Sequence, residues 1–101
     1  MKTVIITGST KGIGYGLAKE FLNQGCQVTI CGRNETTLEQ AYQSLSQQFS
    51  RENILGITCD VSKFEDVQNL WNQTINRFKK VDIFINNAGL NLPRFSVWEQ
   101  T

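Results

Sequence analysis

The chain has no histidine, a single proline and almost no net charge, with ten Lys/Arg against nine Asp/Glu for a formal +1. Without histidine, His-based zinc sites, Cys–His nucleophiles and Ser-His-Asp triads are excluded. A charge so close to zero gives no basic field for nucleic acid or anionic lipid. Long apolar runs are missing too. The first, Val4-Ile5-Ile6, ends at Thr7-Gly8, too short for a signal-peptide core, and a membrane helix needs about 18 consecutive apolar residues. Cysteine is limited to Cys26, Cys31 and Cys59, an odd number with no C-x-x-C pair, so no disulfide framework is expected. The sequons at Asn34 and Asn72 then arise by chance. A reduced, cytoplasmic chain with buried thiols is expected, with no nucleic-acid, membrane or metal partner.

What is present alternates between two periods. The 101 residues suit one small domain, residues 1–101, of a size that buries about 60–70% of its unfolded surface. Thr3 to Ile6 is short and β-branched, and a glycine-rich stretch follows over 8–14. Ile13, Leu17, Ala18, Phe21 and Leu22 then recur at helical spacing up to Gly25. Residues 27–31 form a second strand stopped by Gly32. Asn34 is the expected N-cap of a helix carrying Leu38, Ala41, Tyr42, Leu45 and Phe49. A third strand spans 54–59. Ser62 and Glu65 read as a capping box for a helix with Val67, Leu70, Trp71, Ile75 and Phe78 on one face. Residues 81–85 make a fourth strand, and 87–101 read as a loop entering an unfinished helix. The order β-α-β-α-β-α-β predicts an α/β fold with a parallel sheet and right-handed crossovers.

The stretch Thr7-Gly8-Ser9-Thr10-Lys11-Gly12-Ile13-Gly14 joins a strand to a helix, the context a phosphate-binding loop requires. Gly8 allows a tight turn with positive φ. Gly12 lets ligand oxygens approach the backbone, and Gly14 lets the helix pack near the sheet. The helix's first N–H groups then face a diphosphate. A Walker A loop is excluded, because Lys11 precedes Gly12 and Ile13 follows it. The G-x-G-x-x-G fingerprint fails at Leu17. Gly12-Ile13-Gly14-Tyr15-Gly16 has a G-x-G-x-G spacing also found in methyltransferases, but no acid follows the second strand before Glu35.

The spacing T-G-x-x-x-G-x-G resembles the short-chain dehydrogenase/reductase family. Asp60-Val61 after the third strand and Asn86-Asn87-Ala88-Gly89 after the fourth match that family's further motifs. The resemblance covers essentially the whole chain and implies a Rossmann-like, incompletely doubly wound sheet of strand order 3-2-1-4. It implies a cofactor-binding set of Gly8, Ser9, Thr10, Lys11, Gly12, Ile13, Gly14, Arg33, Asn34, Asp60, Val61, Asn87, Ala88 and Gly89. Asp60 is placed near the adenine, and residues 86–89 both brace the sheet and touch the nicotinamide-side ribose. Asp60 also reads as a helix-flanking acid beside Ser62.

Arg33 and Lys11 point to NADP(H) rather than NAD(H). A guanidinium can give a 2′-phosphate two parallel N–H donors, worth about 1.5–3 kcal/mol each, and Asn34 can add a neutral hydrogen bond. By resemblance, NADP-preferring members carry a basic residue in the glycine loop or just after the second strand.

The resemblance also implies hydride transfer between nicotinamide and a carbonyl or secondary alcohol, performed with a Ser, a Tyr and a Lys that lie beyond the N-N-A-G region. None of them can be assigned in this chain, which is expected to be inactive alone. Tyr15-x-x-x-Lys19 satisfies the literal Tyr/Lys spacing but lies beside the glycine loop, so its catalytic role is rejected. The fourth strand, normally followed by a fifth, is expected to expose an apolar edge and promote self-association. A small-molecule substrate belongs to the full-length form. The alternatives are a non-catalytic NADP(H)-binding module and a truncated remnant without activity.

Overall fold

The computed structural model describes residues 1–87 and, for the backbone, 96–99. The elements are β1 (Thr3–Ile6), α1 (Gly12–Asn23), β2 (Gln27–Gly32), α2 (Glu35–Ser46), β3 (Ile54–Thr58), α3 (Phe64–Phe78), β4 (Ile83–Asn86) and β5 (Ser96–Glu99), with one 3-10 turn at Arg51–Asn53. The sheet runs β3-β2-β1-β4-β5. The first three pairings are parallel, with Ile5 opposite Thr29 on one side and Phe84 on the other.

β1 lies inside the sheet and is buried along its whole length, which is why it reads as a continuous apolar run. Its side chains still alternate between two cores. Val4 and Ile6 pack with Ala18, Leu22, Leu38, Ala41 and Leu45 of α1 and α2. Ile5 packs on the opposite face with Leu70, flanked by Val67, Trp71 and Ile75 of α3. The helical spacing read in the sequence is therefore the spacing of side chains that face the sheet. Two helices on one face and one on the other leave the loops after β1, β2 and β3 together at the strands' carboxyl ends, where open α/β sheets bind ligands.

Local signals set the helix ends. Asn34 Oδ1 accepts from Thr37 N–H at 3.0 Å and starts α2. Gly25, at φ 87°, turns the chain out of α1, and Lys79, at φ 74°, does the same after α3. The expected capping box at Ser62 and Glu65 does not form. α3 begins at Phe64 with Lys63 as its N-cap. Ser62 instead donates both N–H (2.9 Å) and O–H (2.6 Å) to Asp60 Oδ1, because charge-assisted bonds to a carboxylate two residues away are stronger than the neutral bond its hydroxyl oxygen would accept from a helix N–H.

The segment expected to enter a helix also differs. Ser96–Glu99 is a strand, antiparallel to β4, with Phe84 opposite Trp98. β4 therefore has no open edge, and the premise for self-association through it is removed. The physical reason is that Ser-Val-Trp-Glu has a β-branched residue next to an aromatic one, and β4's outer N–H and C=O groups need partners that a local return supplies.

All three cysteines are free and buried. The neighbouring Cys59 thiol, together with burial, pushes the Cys31 thiol well above its ordinary range, so it stays protonated and unreactive. Among the described residues, no helix is long and apolar enough to cross a membrane.

Candidate functional site

The loop between β1 and α1 is pinned from three sides. Thr7 N–H donates to the Ile85 carbonyl at 3.0 Å, and its hydroxyl donates to Asn86 Oδ1 at 3.0 Å. Asn87 answers from β4's end, with its N–H on Thr7 Oγ1 at 2.8 Å and its Nδ2 on the Gly8 carbonyl at 3.2 Å. The two asparagines thus stitch β4 to the loop, which is the bracing role the sequence assigns them.

Ser9 is fully buried. Its hydroxyl donates to the Ile6 carbonyl at 2.7 Å and accepts from Cys31 N–H at 2.9 Å, while its own N–H donates to the Cys31 carbonyl at 3.0 Å. Although it belongs to the expected binding set, its polar atoms are used inside the fold. It ties the loop to β2.

The glycines divide the remaining work. Gly8 and Gly12 adopt φ of 61° and 62°, the left-handed region open to glycine at little cost. A Cβ at Gly12 would meet nothing within 4 Å, so the space above that backbone is free for a ligand. A Cβ at Gly14 would collide with the Gly8 carbonyl and stand 2.7 Å from Asn87 Nδ2. Gly14 is therefore needed for the closeness of α1 to the loop.

A cavity of about 1020 Å³ opens at the strands' carboxyl ends. Its lining includes Gly8, Thr10, Lys11, Arg33, Asn34, Asp60 and Val61 from the expected set. Gly12, Ile13 and Gly14 are not lining residues. They form α1's first turn, next to Lys11, and Ile13 is 66% exposed. Ala88 and Gly89 lie outside the described residues.

Gly32, Thr37, Cys59 and Ser62 also line the cavity and were not singled out from the sequence. Gly32 had a signal, a glycine ending a strand. A Cβ there would come within 2.7 Å of Thr10 Cγ2, so its absence lets the first loop lie against β2. Thr37 could have been found as the residue three positions beyond the Asn34 cap.

Electrostatically, the cavity sets Lys11 and Arg33 against one carboxylate, Asp60. The two Ser62 hydrogen bonds, helped by Arg33 and Lys63, hold the Asp60 carboxyl below the usual carboxylate range. It is ionised at neutral pH, with Oδ1 already engaged. Asp60 therefore does fill the helix-flanking role beside Ser62, while also standing on the cavity wall. α1 has no acid in its first turn and no side-chain cap, so the positive end of its dipole is left uncompensated. These features fit a phosphate-bearing nucleotide: free space above Gly12, unpaired first-turn amides and two cations across the loop.

Tyr15, the tyrosine of the literal Tyr-x-x-x-Lys spacing, has its hydroxyl 2.7 Å from Ser44 Oγ. It bridges α1 to α2.

The short chain dehydrogenase family model matches residues 2–100. Chlorophyll(ide) b reductase NOL of Oryza sativa subsp. japonica is 49% identical over 88 residues, covering 87% of this chain and 26% of that protein. L-fucose dehydrogenase of Oryctolagus cuniculus is 37% identical over 100 residues, covering 99% of this chain and 33% of that protein. A variant of actinorhodin polyketide ketoreductase solved with NADPH superposes with a TM-score of 0.81 at 30% identity, over 88% of this chain and 33% of that one. The chain thus spans about a quarter to a third of the length of the relatives it matches. With its motifs, sheet order and loop geometry all in agreement, the chain belongs to the short-chain dehydrogenase family.

Proposed function

We propose that this chain is the NADP(H)-binding portion of a short-chain oxidoreductase that moves hydride between nicotinamide and a carbonyl or secondary alcohol. The observation that carries the cofactor choice is the pairing of Lys11 and Arg33 on one cavity. Two cations suit the dianionic 2′-phosphate of NADP(H), and the cavity's one carboxylate stands among Cys59, Val61 and Ser62 of the loop after β3.

In this assignment the diphosphate lies against the amides of α1's first turn, with the loop preshaped by Ser9, Thr7 and Asn87. Val61 offers an apolar surface to the adenine, and Asp60 a polar edge. A bound nicotinamide supplies or accepts the hydride. This chain's own residues bind and orient, and the proton-transfer set belongs to a further part of the full-length protein, as does the small-molecule substrate. Relatives named as reductase and as dehydrogenase support the oxidoreductase class in either direction. The three free, buried cysteines suit a reducing compartment, and the cytoplasm is the proposed one.

A second assignment, a non-catalytic NADP(H)-binding module, draws on Tyr15. The chain's one Tyr-x-x-x-Lys spacing is spent on a bond to Ser44, so the described residues hold no proton donor of that kind.

Titration of the chain with NADPH and NADH tests the cofactor assignment. The expected outcome is tighter NADPH binding, with Arg33→Asp weakening NADPH by about 1.5–3 kcal/mol, or one to two decades, and leaving NADH binding in place. No saturable binding of either nucleotide would overturn the assignment. An unchanged preference in Arg33→Asp would remove the role of Arg33.

A further inference from the structure

Two of the three free cysteines are neighbours. Cys31 stands opposite Ile57 in the parallel β2–β3 pairing. Cys59 follows Ile57 by two residues, so both thiols lie on the same face of the sheet. Cys59 N–H donates to the Gly32 carbonyl at 2.9 Å, which fastens residue 59 to β2 just beyond Cys31. The pair shares the core under α3 with Ile5, Leu70 and Val81. Cys26 packs in the core on the opposite face, with α1 and α2.

The two thiols are unequal. Cys31 is fully buried, and its Sγ donates to the Ile6 carbonyl at 3.7 Å. Cys59 is buried too, but it stands on the wall of the main cavity with Gly32 and Asp60. The neighbouring Cys31 thiol holds Cys59 below the ordinary thiol range, against the opposing effects of burial, Asp66 and Asp60. Cys59 is therefore the thiol that ionises first and the one a small molecule in the cavity meets. A sulfur on a cavity wall with a second sulfur behind it is the arrangement of an attacking and a resolving thiol.

We propose that Cys59 and Cys31 form an oxidation site for a small hydroperoxide entering the main cavity, closing to a disulfide between β2 and the loop after β3. In the first step Cys59 Sγ, as thiolate, attacks one peroxide oxygen. The O–O bond breaks, Cys59 becomes a sulfenic acid, and the departing hydroxide takes up a proton as water. Cys31 is inert until then, because the Cys59 thiolate beside it disfavours a second charge; oxidation of Cys59 removes that charge. Cys31 Sγ then attacks Cys59 Sγ, the S–O bond breaks, and the hydroxide leaves with the Cys31 proton as water. Two thiols give up two electrons and two protons, and hydrogen peroxide is reduced to two waters.

The test exposes the whole chain to hydrogen peroxide, alkylates the remaining thiols and maps the peptides by mass spectrometry. The expected result is loss of two of the three free thiols, with the Cys31 and Cys59 peptides joined by a bond that dithiothreitol breaks. Cys26 should stay free. At 9% it is the most exposed of the three, so accessible surface alone would select it first. In urea, closure between Cys26 and Cys31, five positions apart, should overtake closure between Cys31 and Cys59, 28 apart. Cys31→Ala should stop at the sulfenic acid, trapped on Cys59 by dimedone. If that variant does not fold, as judged by circular dichroism, brief oxidation of the wild type with dimedone present reads the same intermediate.

Three retained thiols, a disulfide through Cys26, a link between two chains, or a sulfinic acid on Cys59 beside a free Cys31 would each overturn the proposal. So would a Cys31–Cys59 bond that predominates in urea, since the fold would not be its cause. Dimedone on Cys31 instead of Cys59 would overturn the assigned order of attack. The cofactor assignment stands or falls separately, by the nucleotide titrations.

Discussion

Replacing Gly14 with alanine isolates the contact that brings α1 close to the β1–α1 loop. The added Cβ would run into the Gly8 carbonyl and stand 2.7 Å from Asn87 Nδ2, the atom that donates to that same carbonyl. Both neighbours are fixed, one as backbone and the other as a side chain already hydrogen-bonded, so neither yields cheaply. Overpacking of this kind costs about 1–3 kcal/mol, and loss of the Asn87 bond about 0.5–1.5 kcal/mol more. The gain in helix propensity returns about 1 kcal/mol, leaving a net loss of about 1–3 kcal/mol. Gly16, two residues along the same helix, is the control, since a Cβ there meets nothing within 4 Å. Gly16→Ala should stabilise by up to about 1 kcal/mol. Urea unfolding followed by tryptophan fluorescence and far-ultraviolet circular dichroism measures both, and NADPH titration should show weaker binding for Gly14→Ala alone. Equal midpoints for the two variants would refute the reasoning.

Two further outcomes are expected. Ser9→Ala should lower stability by about 1–3 kcal/mol, because the Ile6 carbonyl and Cys31 N–H lose their shared partner. A variant that unfolds like wild type but binds NADPH poorly would mean that the hydroxyl serves the ligand instead. The Asp82 carboxyl is held below its usual range by the Thr3 N–H, at 2.7 Å, and by Lys80. A depressed folded-state value gives stabilisation that is present above the unfolded value of about 4 and lost as pH falls through the folded one. The urea midpoint should accordingly fall less steeply below about pH 4 in Asp82→Asn than in wild type, and identical acid limbs would sink the assignment.

Much of the fold was legible because its signals are local. β-branched runs gave the four parallel strands, i, i+3, i+4 spacing gave the three helices, and Asn34 capped α2 as read. The failures lie where two short-range options compete. At Ser62 the sequence offers both a capping box and a turn onto Asp60, and the carboxylate won; spacing cannot rank those energies. At Ser96–Glu99 the pairing depends on an edge supplied by residues about a dozen positions away, which no local window contains.

For the site, the motif located the loop, but it could not tell which side chains point outward. Ser9 sits between two residues of the cavity wall and faces the core, because β1's last carbonyl and β2's amide both need a partner there. Glu35 carries the charge a reader notices, yet Thr37 is the one that reaches the cavity. Orientation on a helix's first turn follows from the capping geometry, which becomes visible only when the two strands and both helices are assembled.

The fastening of the β1–α1 loop bears on how any guest arrives. Held to β2 through Ser9, and to β4's end through Thr7 and Asn87, this segment has little freedom left to surrender. A receptor shaped in advance loses less entropy on complex formation and does not wait for a rearrangement. In the proposed cofactor assignment, selectivity then falls to Lys11 and Arg33, which stand exposed at the rim above a scaffold that is already fixed.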